Sequence, residues 1–214
     1  MLASGRGSNL QAILDEIAAG RLAAAVTVVL SDVAGAFALE RARRTGVPTV
    51  FVDPKGYAGK QGYEQSLAEA LRAHGVELVA LAGYMRVCGP TLLAAFAGRI
   101  LNIHPSLLPA FPGLHVQRQA IEHGARFSGC TVHFVDAGVD TGPIVAQAVV
   151  PVLEDDTEES LAARILRQEH RVYPHAIRLF AEGRLRLEGR RVRASVPAAP
   201  GAGELALVQP PLPT

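Results

Sequence analysis

The stretch Leu78-Val79-Ala80-Leu81-Ala82 is an uninterrupted apolar run. Such a run is typical of a strand that is covered on both faces, as in a parallel sheet. On either side of it, short β-branched runs alternate with stretches in which apolar residues recur at the 3.6-residue period of a helix. This alternation predicts the α/β class, with a mostly parallel twisted sheet flanked by helices.

The predicted strands and helices alternate along the chain. The predicted strands cover residues 2–4, 26–31, 49–52, 78–82, 99–104, 131–135 and 144–150. The predicted helices cover 9–19, 37–44, 63–73, a short stretch from Pro90, 114–123 and 158–180, and Pro174 should kink or split the last of them. Arg and Leu alternate over residues 184–193, which predicts a small hairpin.

Length and composition predict a single domain. The chain has 214 residues, of which 49% are hydrophobic, so a substantial core is expected over residues 1–194. Residues 195–214 are rich in Pro and Ala and are predicted to be a disordered tail.

The formal net charge of +1 argues against nucleic acid as the main partner. No apolar run reaches the ~18 residues of a membrane span, and neither a signal-peptide pattern nor paired cysteines are present, which favours a cytoplasmic protein.

The turn Gly5-Arg6-Gly7-Ser8-Asn9 lies between the first predicted strand and the first predicted helix. The backbone N–H groups of such a turn, with the positive end of the helix, can bind a phosphate. The third glycine of the dinucleotide fingerprint and the acidic residue ~20 positions later are both missing, so a mononucleotide-sized phosphate fits better than NAD. A tight turn with Ser8 or Asn9 as the helix cap explains the same residues without a ligand.

Asn102 and His104 are two residues apart at the end of a predicted strand, so their side chains point to the same face. The carboxyl end of a parallel strand is where α/β proteins place ligands. An amide beside an imidazole suits the stabilisation of an oxyanion and the movement of a proton. The alternative is that both side chains only fix the loop that follows Pro105.

Asp136 and Asp140 lie in a turn between two predicted strands. Paired carboxylates suggest a metal, but no further ligand stands at a suitable spacing, so no metal is expected. We expect Asp140 to pair with His104, raise the pKa of the imidazole toward neutrality and make it a general acid. Ordinary Asp-Gly turn chemistry accounts for Asp136. His133 is expected to have no role, and the arginines of residues 184–193 are assigned to a charged sheet edge rather than to a phosphate site.

Five motifs stand in order between residues 2 and 186. They are Ser4-Gly5-Arg6-Gly7-Ser8-Asn9-Leu10-Gln11, Ala82-Gly83-Tyr84-Met85-Arg86, Asn102-Ile103-His104-Pro105-Ser106-Leu107-Leu108-Pro109, Phe111-Pro112-Gly113-Leu114-His115 and Asp140-Thr141-Gly142-Pro143. Together they resemble the phosphoribosylglycinamide formyltransferase family. The resemblance implies a Rossmann-like formyltransferase fold. It also implies transfer of a formyl group from 10-formyltetrahydrofolate to the amine of glycinamide ribonucleotide in purine biosynthesis, with no metal or redox cofactor.

The resemblance further implies which residues form the site. The implied catalytic residues are Asn102, His104 and Asp140. The implied contacts of the phosphate and ribose are Gly7, Ser8, Asn9, Leu166, Arg167, Gln168 and Glu169. The implied contacts of the folate are Lys60, Met85, Arg86, Val87, Cys88, Asn102, Asp136, Ala137, Gly138, Val139 and Asp140. The family often has an arginine where Lys60 stands, and a lysine keeps the charge but loses the planar fork.

Three other functions stay open at this point. They are a 10-formyltetrahydrofolate hydrolase, a formyltransferase with another amine acceptor, and a non-catalytic nucleotide-binding module. The expected partners are small-molecule substrates, with no nucleic acid and no membrane, for a monomer or a homodimer. The predicted strand at residues 2–4 is shorter at its start than the first strand of the family, so we expect that the chain as given begins late, at an internal methionine.

Overall fold

The computed structural model describes residues 1–196 and Leu207. Its strands are β1 (Val29–Ser31), β2 (Thr49–Phe51), β3 (Val79–Leu81), β4 (Ile100–His104), β5 (Phe127–Phe134), β6 (Ile144–Pro151), β7 (Leu185–Glu188) and β8 (Arg191–Ala194). Its helices are α1 (Ser8–Ala18), α2 (Phe37–Arg44), α3 (Lys60–Ala73), α4 (Pro90–Ala95), α5 (Val116–Glu122) and α6 (Glu158–Ala181). Among these helices, none combines the length and the apolar character that crossing a membrane requires. Most of the predicted tail lies outside the described residues.

The main sheet runs in the order β2-β1-β3-β4-β5-β6, and the segment around Leu2 lies between β1 and β3. Leu2 forms parallel bridges to Leu30 and Leu81, and its N–H donates to the carbonyl of Ala80 at 2.9 Å. The pairs β1–β2 and β3–β4 are parallel, whereas β4–β5 and β5–β6 are antiparallel. The predicted α/β class with a parallel-dominant sheet is confirmed.

The helix α6 is continuous from Glu158 to Ala181, so of the predicted kink or split at Pro174 the split is wrong. A proline inside a helix costs about 3 kcal/mol, because it cannot donate to the carbonyl four residues earlier and its ring crowds that turn. Thr157 and Ser160 form a capping box at the start of α6, and one face of the helix is buried against the sheet. The buried apolar residues of that face are Leu161, Ile165, Tyr173, Ala176, Ile177 and Leu179. Packing of this face outweighs the cost of the proline.

The strand β5 begins at Phe127, four residues before the start predicted at residue 131. Ser128 and Gly129 are weak strand formers, which is why the sequence pattern misses them. Close packing explains Gly129, since a Cβ there would overlap with the backbone carbonyl oxygen of Ala148 on β6. The predicted terminal hairpin is confirmed, with β7 and β8 paired antiparallel.

Tyr173 joins α6 to the centre of the sheet. Its ring is fully buried, and its hydroxyl lies 2.7 Å from the Leu81 carbonyl and 3.0 Å from the Leu101 carbonyl. Those carbonyls belong to β3 and β4, the two strands whose ends lead into the loops described below. This contact fixes the position of α6 relative to both strands.

We expect Tyr173→Phe to lower the free energy of unfolding by about 1–3 kcal/mol, because a buried donor is lost from two carbonyls. Urea unfolding followed by circular dichroism measures this change. Tyr57→Phe is a matched control, since that hydroxyl bonds the part-buried Ser66 at 2.7 Å. A loss for Tyr173→Phe that is no larger than the loss for the control would contradict the expectation.

Candidate active site

A cavity of about 520 Å³ opens at the carboxyl ends of β3 and β4. Its walls include the turn at residues 5–9, the strand end at residues 102–104 and the loop at residues 138–140. The turn at residues 5–9 and the end of β4 are neighbours because segments that follow parallel strands leave the sheet at the same edge, whereas the loop at residues 138–140 joins the antiparallel strands β5 and β6. The structure therefore places the three chemical features of the sequence around a single cleft.

Asn102, His104 and Asp140 are in mutual reach in this cavity. The Nδ1 atom of His104 lies 3.3 Å from Asp140 Oδ2, and Asn102 Nδ2 lies 3.4 Å from Asp140 Oδ1. Asp140 Oδ2 also accepts a hydrogen bond from the N–H of Gly113 at 2.9 Å. The backbone of Asp140 is left-handed, with φ of 54°, a conformation that aspartate adopts more readily than most residues. The predicted pairing of Asp140 with His104 is therefore present in the structure.

His133 is a member of the site that sequence reasoning missed. It lies directly opposite Asn102 in the β4–β5 ladder and is 2% exposed. Its Nδ1 lies 2.9 Å from the carbonyl of Phe134 and its Nε2 lies 3.1 Å from Asn102 Nδ2. The same Nε2 lies 3.6 Å from Asp140 Oδ1, so His133 contacts both the amide and the carboxylate of the site. His133 thus fixes the orientation of the Asn102 amide. The sequence could have indicated this role only after β4 and β5 were paired, because the pairing places His133 directly opposite Asn102.

Asp140 raises the pKa of His104, as expected, but the net shift is downward rather than toward neutrality. Burial lowers the pKa of His104 below its ordinary value of 6.5, and the Phe111 carbonyl and the charge of Asp140 offset that effect only in part. For Asp140, burial raises the pKa, but His133, the Gly113 N–H and His104 outweigh it and leave the pKa lowered. At neutral pH the site therefore holds a neutral imidazole beside a carboxylate.

The proline-rich loop after β4 is held against the site by buried hydroxyl groups. Ser106, which is fully buried, donates to the carbonyls of Ala110 at 2.6 Å and Phe111 at 3.0 Å. The Phe111 carbonyl also lies 3.0 Å from His104 Nε2, and Phe111 itself has a left-handed φ of 51°. A bulky residue in that region is strained by about 1–3 kcal/mol, so the surrounding contacts impose this conformation. Both ring nitrogens of His104 therefore face an acceptor in this conformation.

The turn before α1 has the form of an anion cradle. Gly7 is the N-cap, with a left-handed φ of 68°, and no side chain caps the first turn. This replaces the suggestion that Ser8 or Asn9 caps the helix. A Cβ at Gly7 would lie 2.7 Å from Ala38 Cα, so only glycine permits this approach of α2. The backbone N–H groups at the start of α1 therefore face the cavity together with the positive end of the helix.

Asn9 and Glu169 meet at the wall of the same cavity. The Asn9 Nδ2 atom donates to Glu169 Oε2 at 2.7 Å, and both residues are buried. Burial raises the pKa of Glu169, an effect that the bond from Asn9 only partly offsets. The Oδ1 atom of Asn9 is buried without a hydrogen-bond partner among the described residues. An unpaired buried acceptor is costly, so this oxygen is a candidate acceptor for a hydrogen-bond donor of a ligand.

The remaining predicted contacts of the phosphate and ribose divide between the two sides of α6. Leu166 and Glu169 line the cavity, because residues three apart share a helix face. Arg167 is exposed, and Gln168 lines a different cavity beside Arg171. The structure therefore does not bring Arg167 or Gln168 to this site, and the helical period is the reason.

The predicted folate side is built from irregular backbone. Met85, Arg86, Val87 and Cys88, here called the folate edge, lie between the main cavity and a second cavity of about 520 Å³. Lys60 lines the second cavity, and its Nζ lies 3.9 Å from Glu64 Oε1. The folate edge and Lys60 thus line the same cavity.

The loop at residues 136–140 contributes only in part. Gly138, Val139 and Asp140 line the cavity, whereas Asp136 and Ala137 do not. Asp136 Oδ1 instead accepts from the Gly138 N–H at 3.0 Å and from Thr141 Oγ1 at 2.6 Å, which is ordinary turn chemistry. Within the part of the chain that the structure describes, no three His, Cys, Asp or Glu residues are grouped as a metal site would need.

Comparison with known proteins identifies the class. A sequence model of the family described as formyl transferase matches residues 1–177, so the protein is of the formyl transferase class. A phosphoribosylglycinamide formyltransferase of Escherichia coli is 44% identical over 187 residues, which are 87% of this chain and 88% of that protein. The chain belongs to the phosphoribosylglycinamide formyltransferase family.

Two further similarities agree with this assignment. The solved structure of glycinamide ribonucleotide transformylase 1 from Symbiobacterium toebii has a TM-score of 0.89 and 63% sequence identity, over 90% of this chain and 91% of that chain. A trifunctional purine biosynthetic protein adenosine-3 of Drosophila pseudoobscura pseudoobscura is 47% identical over 188 residues. Those residues are 87% of this chain but only 14% of that much longer relative.

The lowered pKa of His104 gives a direct prediction. In an NMR titration of the histidine ring signals, we expect the midpoint of His104 to lie below 6.5, because burial disfavours the imidazolium. Asp140→Asn removes a charge that raises this pKa, so we expect the midpoint to move to still lower pH. A midpoint at or above 6.5, or an upward shift in the Asp140→Asn variant, would contradict the assignment.

Proposed function

We propose that the chain transfers a formyl group from 10-formyltetrahydrofolate to the primary amine of glycinamide ribonucleotide, a step of purine biosynthesis. The observation that carries the proposal is a single cavity with an anion cradle at one side and an amide, an imidazole and a carboxylate at the other. The names of its relatives, among them a phosphoribosylglycinamide formyltransferase, support the same reaction. Both substrates are small molecules, and the folate is a co-substrate.

Glycinamide ribonucleotide would bind between α1 and α6. Its phosphate would accept hydrogen bonds from the backbone N–H groups of Gly7, Ser8 and Asn9, where the helix dipole favours negative charge. A ribose hydroxyl has both a donor and an acceptor, so it could donate to the unpartnered Oδ1 of Asn9 and also bond Glu169. This placement leaves the amine end of the molecule pointing toward His104.

The formyl donor would bind along the folate edge and the loop that carries Asp140. Irregular backbone offers free N–H and C=O groups, which a flat heterocycle can pair with along its edge. The rim of the cavity is apolar and exposed, with Met85 at 65% and Leu114 at 66% exposure, and an apolar rim suits an aromatic ligand. Lys60 would attract the acidic tail of the folate from the second cavity.

The geometry suits attack of the amine on the formyl carbon. The attack creates a tetrahedral oxyanion, and N–H groups of Asn102 and His104 can stabilise it. In this conformation the Asn102 NH₂ faces His133 and Asp140, and His104 Nε2 faces Phe111. The oxyanion would therefore have to replace one of these acceptors. Release of the Phe111 carbonyl is the least costly exchange, because Ser106 Oγ still donates to that carbonyl.

The neutral state of His104 decides the order of proton transfers. A neutral imidazole with its proton on Nδ1, toward Asp140, can accept at Nε2 the proton that the amine loses. The Nε2–H formed in this way can donate to the oxyanion and then deliver its proton to the departing folate nitrogen. Asp140, ionised at neutral pH, stabilises the imidazolium while it exists and holds the ring in place. The proposed role of Asp140 is therefore to stabilise the positive charge that His104 carries only during the reaction.

Following a labelled formyl group tests the reaction itself. With 10-[¹⁴C]formyltetrahydrofolate and glycinamide ribonucleotide, we expect label in the formylated ribonucleotide at a rate far above that of label released as formate. We expect His104→Ala and Asp140→Asn each to lower kcat by about 10²–10⁴-fold, the usual contribution of general acid–base and oxyanion groups. Both variants should bind glycinamide ribonucleotide nearly normally, as calorimetry can measure.

Different results separate the alternatives. Label that appears only as formate would indicate a hydrolase, and label that moves only when another amine is supplied would indicate a different acceptor. Label that stays on the folate would indicate a non-catalytic binding module. Near wild-type turnover in His104→Ala or Asp140→Asn would refute the role given to that residue. Arg167→Ala is a suitable control, because Arg167 is exposed and lies away from the cavity.

A further inference from the structure

The folate edge has no strand or helix pairing to fix its shape. Residues 82–89 connect β3 to α4 without regular structure, yet they form a wall shared by two cavities. Binding of a rigid heterocycle along such a segment requires that its backbone be held near one conformation beforehand. The contacts at each end of the folate edge are therefore informative.

The start of the folate edge is tied to the first turn of the chain. The N–H of Met85 donates to Ser4 Oγ at 3.0 Å, and Ser4 Oγ donates to Asp32 Oδ1 at 2.6 Å. Arg86 lies 3.9 Å from the same Asp32 carboxylate and stacks 5.3 Å above the ring of Tyr63. One end of the segment is thus anchored through a hydroxyl to a carboxylate.

The other end is held by Glu64, a residue of α3 that is 3% exposed. Its Oε1 accepts a hydrogen bond from the Gly89 N–H, and its Oε2 accepts one from the Leu92 N–H at 3.3 Å. Gly89 directly follows Cys88, the last residue of the folate edge. A Cβ at Gly89 would lie 2.7 Å from Glu64 Oε1, so the glycine makes room for the carboxylate.

Glu64 also touches the cation on the same side. Lys60 lies one helical turn before it on α3, with Nζ 3.9 Å from Glu64 Oε1. Burying a carboxylate is costly unless it is paired and hydrogen-bonded, and Glu64 has two N–H donors and one nearby cation. One buried charge therefore contacts both the backbone that follows the folate edge and the side chain that lines the second cavity.

We propose that Glu64 is a positioning residue for the formyl donor, which sets the backbone of the folate edge through Gly89 and holds Lys60 beside it. The proposal rests on the proposed function, since it assigns this segment to the folate. It predicts that the loss of the carboxylate charge weakens the binding of the donor and leaves glycinamide ribonucleotide unaffected, because Glu64 does not line the cavity beside α1 and α6.

The test compares Glu64→Gln with Glu69→Gln in the full chain. Gln at position 64 keeps the size and one acceptor oxygen but removes the charge, whereas Glu69 is an exposed residue of α3 whose only side-chain bond in the described structure is to Gln65. For Glu64→Gln we expect the KM for 10-formyltetrahydrofolate and the Kd for tetrahydrofolate to rise on the order of 10-fold, the loss typical of a charge-assisted hydrogen bond. The KM for glycinamide ribonucleotide should stay within about twofold of its wild-type value.

A second variant keeps the proposal testable if Glu64→Gln does not fold. Gly89→Ala leaves the carboxylate in the chain and displaces it from the backbone, so it should raise the same KM and Kd. In both variants, amide hydrogen exchange should become faster at Leu92 than in Glu69→Gln. This readout reports the backbone contact directly and does not depend on turnover.

The outcomes separate this proposal from the proposed function. An unchanged KM and Kd for the folates, or an equal rise in the KM for glycinamide ribonucleotide, would overturn the positioning role of Glu64 while formyl transfer by the wild-type chain still stands. Absence of formyl transfer in the wild-type chain, with weaker tetrahydrofolate binding in Glu64→Gln, would refute the proposed function and support the role of Glu64 in folate binding.

Discussion

The carboxylate of Asp140 is the point at which the separate parts of the site meet. It faces nitrogen atoms on β4, on β5 and in the proline-rich loop, and these belong to Asn102, His104, His133 and Gly113. A half-buried carboxylate needs such partners, since burial without them would neutralise it. His133, the Gly113 N–H and His104 lower its pKa, so the charge is retained at neutral pH. Contacts with this one carboxylate thus bring the Asn102 amide and the rings of His104 and His133 together in the cavity.

Irregular segments carry most of the site, and buried polar side chains hold them in place. Ser106 anchors the loop that reaches His104, and Thr131 Oγ1 donates to the carbonyl of Ser106 at 2.7 Å. Ser4 and Glu64 anchor the two ends of the folate edge. Loops that are fixed in this way need little reordering when a ligand binds, which lowers the entropic cost of binding. The sheet places the segments at one edge, and these bonds give each segment its shape.

Local pattern was sufficient to predict the α/β class, the order of the elements and the approach of Asp140 to His104. It failed where tertiary packing decides, as in the start of β5 at Phe127 and the continuity of α6 through Pro174. It also missed His133, because strand pairing across the sheet brings that ring to Asn102. The pKa of His104 depends on how far the ring is buried, which residue spacing does not report. The sequence therefore predicted a pKa near neutrality, whereas burial lowers it. Glu64 gave no signal in the sequence, since its partners are backbone N–H groups.

A crystal structure with glycinamide ribonucleotide and a non-reactive analogue of the formyl donor bound together tests the central claim most directly. The account predicts that the atom standing for the formyl oxygen lies about 3 Å from nitrogen atoms of both Asn102 and His104, as an oxyanion site requires. It also predicts that Asp140 still contacts the His104 ring and that the phosphate lies on the N–H groups at the start of α1. An analogue whose carbonyl lies away from Asn102 and His104, or an Asp140 carboxylate turned away from the ring in that complex, would contradict the account.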